Sequence, residues 1–273
     1  MSFLSTGVAV VTGAGSGIGR ALAQQLAAAG SALALAAIDE PGLKQTIESL
    51  GDRSAAVSTH VMDVAEEASV SAFAEDVRSR HGRVTLLINN AGVSLHGDFE
   101  EISLDDFRWL MNINFWGTVF GVKYFLPILK REKHAHIANL SSVFGIIAPA
   151  EQCAYSASKF AVRGFTEALR HELAGGNVGV SCVHPGGIQT PIARRSRIGA
   201  GTSESKREKN IEWFEKLART PPEKAAARIL RGVERRELIG ADACQIDILQ
   251  RLRPASYWKT LAKILEDPSA TNN

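Results

Sequence analysis

With 273 residues, 45% hydrophobic and 22% charged, the chain has the composition of an ordinary globular protein, sized for one large domain or two small ones. At that length roughly three quarters of the unfolded surface is buried on folding, which allows a sizeable core. A net charge of +2, with no basic block interleaved with aromatics, gives no footprint for nucleic acid.

The three cysteines, Cys153, Cys182 and Cys244, are odd in number and far apart, which points to reduced thiols in a cytoplasmic protein. The seven histidines show no metal-ligand spacing. The start, MSFLSTGVAVVTG, lacks the charged region of a signal peptide. No apolar run reaches the ~18 residues of a membrane span.

Val8–Val11 is a short β-branched run that leads into Thr12-Gly13-Ala-Gly-Ser16-Gly17-Ile18-Gly19-Arg20. A helix follows and stops at Gly30. Strand, glycine turn and helix begin a βαβ unit. Such a turn brings backbone N–H groups and a helix N-terminus up to a pyrophosphate. The spacing here is G-x-x-x-G-x-G (Gly13, Gly17, Gly19); glycine turns with no ligand also occur.

Further strands are predicted at Ala32–Ala37, Ala55–Val61, Val84–Ile88, His136–Leu140 and Val178–Val183. Helices fall between them at Pro41–Leu50, at Ala65–Arg80 and from Leu104 to about Arg131, with Pro127 marking a bend or end. Another begins near Tyr155. The alternation predicts an α/β domain with a doubly wound parallel sheet, covered on both faces. The distinctive segments, Met62-Asp63-Val64, Asn89-Asn90-Ala91-Gly92, Ser141-Ser142 and His184-Pro185-Gly186-Gly187, all follow strand ends. Ligands bind at that edge of open α/β sheets.

Tyr155 and Lys159 are four apart in a helical pattern and share a face. An ammonium there would push the tyrosine below its usual pKa of ~10, into a range useful for proton exchange. A solvated Tyr–Lys pair is the plain alternative. The segment 192–217 turns polar and charged and carries an apolar set, Ile211, Trp213, Phe214 and Leu217. It reads as a substrate lid, and its arginines as a solvated loop or an anion-attracting rim. Pro221-Pro222 opens a helix to about Val233, followed by a last strand at Glu237–Ile239. A helical tail from Asp242 would pack on the domain or on a second subunit.

Taken together, Thr12-Gly13-x-x-x-Gly17-Ile18-Gly19, Asp63-Val64, Asn89-Asn90-Ala91-Gly92, Asn114, Ser142, Tyr155-x-x-x-Lys159 and Pro185-Gly186 with Thr190 resemble the short-chain dehydrogenase/reductase family over roughly residues 6–240. The thirteen residues from Ser142 to Tyr155 are also the family's spacing, which sets Ser141 aside. The resemblance implies a Rossmann-like single domain, a nicotinamide cofactor and hydride transfer at a carbonyl or alcohol carbon. Tyr155 would be the acid/base and Ser142 would hold the substrate oxygen. Lys159 would tune Tyr155 and bind the nicotinamide ribose, and Asn114 would hold a relay water.

Gly13, Ser16, Gly17, Ile18 and Gly19 would take the pyrophosphate; Asp63 and Val64 the adenine; Asn90, Ala91 and Gly92 the adenosine ribose. Pro185, Gly186, Ile188 and Thr190 would meet the nicotinamide. The substrate would be a small ketone or alcohol of largely apolar surface, met by Val93, Leu95, Phe144, Ile146, Ile147, Pro149, Trp213 and Phe214. The family's usual assembly is a homodimer or homotetramer.

One position departs from the family. Where NAD-preferring members carry an acid, twenty-four residues after Gly13, this chain has Ala37, and Asp39 comes two residues late. Ile38 and Ser16 occupy the places of the basic residues that mark NADP. With Arg20 near the phosphates, the balance leans to NADP, with NAD also used. A catalytically idle nucleotide-binding or scaffold protein is the alternative from another class, and a dehydratase or epimerase on the same fold is a third reading.

Overall fold

The computed structural model describes residues 4–235, so the strand expected at Glu237–Ile239 and the tail from Asp242 lie outside the described residues. Six strands, β1 (Val8–Thr12), β2 (Ala32–Ala37), β3 (Val57–Val61), β4 (Leu86–Asn89), β6 (Ala135–Leu140) and β7 (Val178–Val183), form one parallel sheet. Their order is β3-β2-β1-β4-β6-β7. A separate parallel pair joins β5 (Leu95–His96) to β8 (Arg197–Ile198). The helices are α1 (Gly17–Ala29), α2 (Glu40–Glu48), α3 (Glu67–His81), α4 (Leu104–Met111), α5 (Gly117–Leu129), α6 (Cys153–Glu172), α7 (Glu204–Leu217) and α8 (Pro222–Arg235).

The two-residue period of a strand divides the sheet between two cores. Ala9, Val11, Leu33, Leu35, Leu86 and Ile88 face α1 and α8, where Leu22, Leu26, Ala226 and Ile229 meet them. Val10, Ala34, Ala36, Leu87 and Ile137 face α3 and α5, packing under Phe73, Val77 and Phe125. Leu22 and Leu26 are fully buried, and each contributes about 1.5–3 kcal/mol by leaving water. Both faces being covered explains why these strands are almost continuously apolar.

The helix predicted from Leu104 to Arg131 is interrupted, but not at Pro127. Pro127 lies within α5, and the break is a π-helical turn at Asn112–Trp116. Such a turn inserts an extra residue into the helical ladder and re-aims a side chain; here it carries the buried Asn114. β4 starts two residues later than predicted. No helix among the described residues is long and apolar enough to cross a membrane.

Candidate active site

The sheet order reverses between β1 and β4, and the turns after these two strands are laced together there. Thr12 Oγ1 accepts from the N–H groups of Asn90 and Ala91, each at 3.0 Å. Asn90 Nδ2 donates to Thr12 O at 2.9 Å and to Gly13 O at 3.2 Å. The glycines are needed sterically. A Cβ on Gly19 would stand 2.2 Å from Gly13 O, and Gly13, at φ +65°, has Ala91 Cα 2.8 Å from its Cβ position. Gly17, at φ +52°, lies against Thr190 in the same way, so the glycine turn meets the segment after β7.

The N-terminus of α1 has no side-chain cap from Ser16 and no acid in its first turn. Its leading N–H groups and positive dipole end therefore suit an anion. Asp63 Oδ1 accepts from Ala65 N at 2.9 Å, a local turn, while Glu66 holds the cap position of α3. Val64 packs against Gly117. Ala37 is buried. Asp39 begins α2 as expected of an acid there, its Oδ1 accepting from Gly42 N at 3.1 Å.

Arg20 departs from expectation. Its guanidinium donates to Gly15 O at 2.6 Å, Gln45 Oε1 at 3.0 Å and Thr46 Oγ1 at 3.1 Å. It is engaged in fastening the glycine turn to α2, and a phosphate would have to compete for it.

On the other side of the crevice, α6 presents Tyr155 and Lys159. The Ser142 hydroxyl faces the Tyr155 phenol and favours its ionised form, and its Oγ accepts from Phe144 N at 3.2 Å. Ser141 points elsewhere, its Oγ donating to Lys159 O at 2.8 Å. His184 Nδ1 donates to Ser142 O at 2.9 Å, holding that backbone from the strand beside it. Lys159 is buried and donates from Nζ to Leu140 O at 3.0 Å.

Asn114 Oδ1 accepts from Val93 N at 2.8 Å, and its Nδ2 donates to Val93 O and Ser158 Oγ, both at 3.0 Å. A Cβ on Gly92 would sit 3.2 Å from Asn114 Oδ1 and 3.4 Å from Lys159 Nζ. The residues that sequence spacing linked as Asn114, Ser142, Tyr155 and Lys159 are thus gathered around the α6 face and the turn after β4. Ser158, through Asn114, and His184, through the Ser142 backbone, hold them there, and Thr12 ties down the turn after β4. Sequence reasoning gave none of these three a site role, although Thr12 and His184 stood in segments it singled out and Ser158 lies one helical turn from Tyr155.

The protonation balance differs from the sequence expectation. Lys159 Nζ lies 5.6 Å from the Tyr155 ring centroid. Burial raises the Tyr155 pKa above its ordinary value, opposed by the hydrogen bond from Ser142. Burial also lowers Lys159 to about 8, with nearby Cys182 pulling it back up. Desolvation is the largest influence on both groups. At neutral pH the phenol therefore holds its proton.

Of the apolar residues expected around the substrate, Leu95, Ile146 and Ile147 are buried in packing. Val93, Phe144, Pro149, Trp213 and Phe214 are half-buried, and the Phe144 ring stands edge-on to Tyr155 at 6.2 Å. The arginines of the 192–217 segment are ion-paired rather than simply solvated: Arg194 with Glu215, Arg195 with Asp39 at 3.3 Å, Arg197 with Asp106 at 2.9 Å. No cluster suited to a metal ion occurs among the described residues.

The family described as short chain dehydrogenase matches residues 7–200. A protein of Mycobacterium tuberculosis (strain H37Rv) named as an oxidoreductase, SadH, is 42% identical over 268 residues, 96% of each chain. A short chain dehydrogenase/reductase from Burkholderia phymatum, solved in complex with NAD, is 33% identical, with a TM-score of 0.84 over 93% of this chain and 96% of that one. Levodione reductase is 27% identical, with a TM-score of 0.77 over 88% of this chain and 97% of that one. The chain belongs to the short-chain dehydrogenase/reductase family, a family of oxidoreductases.

Proposed function

We propose that the protein interconverts a ketone and a secondary alcohol on a largely apolar small molecule, with Tyr155 as the acid/base. The observation that carries this reading is the convergence of Ser142 on the Tyr155 phenol while Lys159 and Asn114 meet beside Gly92. The idle-scaffold alternative would need a defect in this set, and the set is intact. Nothing in the site favours a dehydratase or epimerase.

A nicotinamide dinucleotide fits the residues present. The bare N-terminus of α1 and the turn of Gly13, Ser16, Gly17, Ile18 and Gly19 would take its phosphates. Asp63 and Val64 would border the adenine, Asn90, Ala91 and Gly92 the ribose, and Pro185, Gly186, Ile188 and Thr190 the nicotinamide end, with Tyr155 and Lys159 at the second ribose. When bound, the nicotinamide supplies or accepts the hydride. In reduction, Ser142 orients the carbonyl oxygen and Tyr155 gives it a proton. Lys159 and Asn114, meeting at Gly92, would refill that proton from solvent through a water.

For the cofactor, the reading is NADP with NAD also used. Ala37 supplies no carboxylate to bind the NAD ribose or repel a 2′-phosphate. Arg20 is occupied, which leaves Arg195, paired to Asp39, as the nearby cation. Assembly as a homodimer or homotetramer, the cytoplasmic location and the role of 192–217 as a lid belong to the same proposal. The test is oxidation of NADPH and NADH, followed at 340 nm, over a panel of apolar ketones. Absence of turnover with every ketone, alongside tight cofactor binding, would favour the scaffold reading.

A further inference from the structure

The two-residue period that turns Val180 and Cys182 toward α6 turns His184 the same way. Cys182 lies against Lys159 and Thr166 of that helix. Pro185 follows His184, and the residue before a proline is confined to extended backbone, so the imidazole keeps the direction of the strand. His184 is buried, with Nδ1 2.9 Å from Ser142 O. A carbonyl only accepts, so Nδ1 carries a proton. It does so in the charged ring as well, and the bond therefore survives titration of the imidazole.

The segment that His184 meets is a tight turn. Ser142, in extended backbone, caps Val143–Gly145. Its Oγ accepts from Phe144 N at 3.2 Å and its carbonyl from Gly145 N at 2.9 Å, bonds that shape the turn from within. The residues on either side are tied to β7 and its extension by backbone rungs, Ser141 N to Val183 O at 2.8 Å and Val143 N to Pro185 O at 2.9 Å. Ser142 lies between those rungs. The imidazole fills the second lone pair of its carbonyl and ties Ser142 itself to the strand end; Pro185 has no N–H to add another bond. The turn carries two groups to Tyr155: the Ser142 hydroxyl, which favours the ionised phenol, and the Phe144 ring, edge-on at 6.2 Å. A rotation of the peptide after Ser142 would move both.

We propose that His184 is a positioning residue: its Nδ1–H holds the Ser142 carbonyl and thereby sets the approach of the Ser142 hydroxyl to Tyr155. This rests on the reading of Ser142 and Tyr155 as the pair that orients the carbonyl oxygen and gives it a proton.

Hydrogen exchange on the full chain tests the hold without turnover. His184→Leu should speed exchange across residues 143–147 by about tenfold or more. His184→Asn, whose amide nitrogen stands about where Nδ1 does, should keep most of the protection. On a ketone that the wild type reduces, His184→Leu should lower kcat by about tenfold or more with KM changed less, and His184→Asn should restore most of it. The rise of alcohol oxidation with pH should move to higher pH in His184→Leu, as in Ser142→Ala, because both withdraw the hydroxyl from the phenol. In the Ser142→Ala background His184→Leu should then add little. An equal fall of kcat in both backgrounds would overturn the proposal, since His184 would be acting other than through Ser142. Unchanged exchange at 143–147 in His184→Leu overturns it whatever the activity. If His184→Leu fails to fold, nitrogen NMR of the wild-type imidazole decides: a ring protonated on Nε2 alone overturns the hold, and a protonated Nδ1 lost in His184→Asn supports it. Loosened exchange in a chain that reduces no ketone would uphold the hold on Ser142 and count against the enzymatic reading instead.

Discussion

The helices α6 and α7 are held by different means. Over twenty residues α6 buries Ala154, Ser156, Ser158, Lys159, Val162, Thr166 and Leu169. Three of its four buried polar members are satisfied inside: Thr166 Oγ1 donates to Val162 O at 2.6 Å and accepts from Asn139 Nδ2 at 3.0 Å, Ser158 donates to Tyr155 O at 2.7 Å, and Lys159 donates to Leu140 O at 3.0 Å; Ser156 Oγ has no partner. By comparison, α7 has fourteen residues with only a half-buried face, fixed at its ends and by polar contacts on its flank. The proposed proton-handling groups thus sit on an element that cannot shift without exposing core, and the proposed substrate boundary sits on one that can. Such a division lets chemistry stay constant while the accepted substrate varies.

Changes on α6 should be the severe ones. Tyr155→Phe should lower turnover by at least ~10²–10⁴-fold while leaving cofactor binding and the melting temperature nearly unchanged. Steady-state kinetics and a cofactor titration check both halves. Near-wild-type turnover would remove Tyr155 from its role. Ser142→Ala should also cut turnover. Ser141→Ala should act on stability instead, because Ser141 bonds the α6 backbone.

The pH dependence follows from burial. Because the Tyr155 pKa is raised, the phenol is protonated at neutral pH, so ketone reduction has its acid ready. Alcohol oxidation needs the phenolate, and its rate should climb through the alkaline range as the reductive rate falls. Lys159 gives a stability signature. Its pKa is lowered to about 8 from an ordinary 10.5, so between those values the unfolded chain holds more protons and folding stability rises with pH. Two and a half units correspond to about 3 kcal/mol. In Lys159→Met that part of the rise should vanish from denaturant melts taken across the window. An identical slope in both proteins would mean the ammonium is not desolvated.

A smaller effect is expected at the rim of the cofactor site. Ala37→Asp should shift the ratio of kcat/KM for NAD over NADP by about tenfold, the equivalent of 1.4 kcal/mol. A wild type already strongly selective for NAD would assign the discrimination to Asp39. The mildest change should be on α7. Trp213→Ala is expected to raise KM for an apolar ketone a few-fold, about 1 kcal/mol of lost contact, with kcat nearly kept. A collapse of kcat there would erase the difference between the two helices.

The sequence by itself was enough for the alternating strands and helices, the glycine turn, and the order of residues that marks the family. Those signals are local: short continuous apolar runs, glycines where a Cβ would strike backbone, and Tyr155 one helical turn from Lys159. Tertiary structure decided what depends on distant partners. Arg20 was occupied by α2, twenty-two to twenty-six residues away. The break in the long helix fell at Asn114, bonded to Val93, and not at Pro127. Burial, set by the whole fold, fixed the proton on Tyr155 and loosened it on Lys159. His96 and Glu151, fifty-five residues apart along the chain, meet at 2.7 Å. No spacing rule connects them, because only the tertiary fold brings their polar atoms within hydrogen-bond reach.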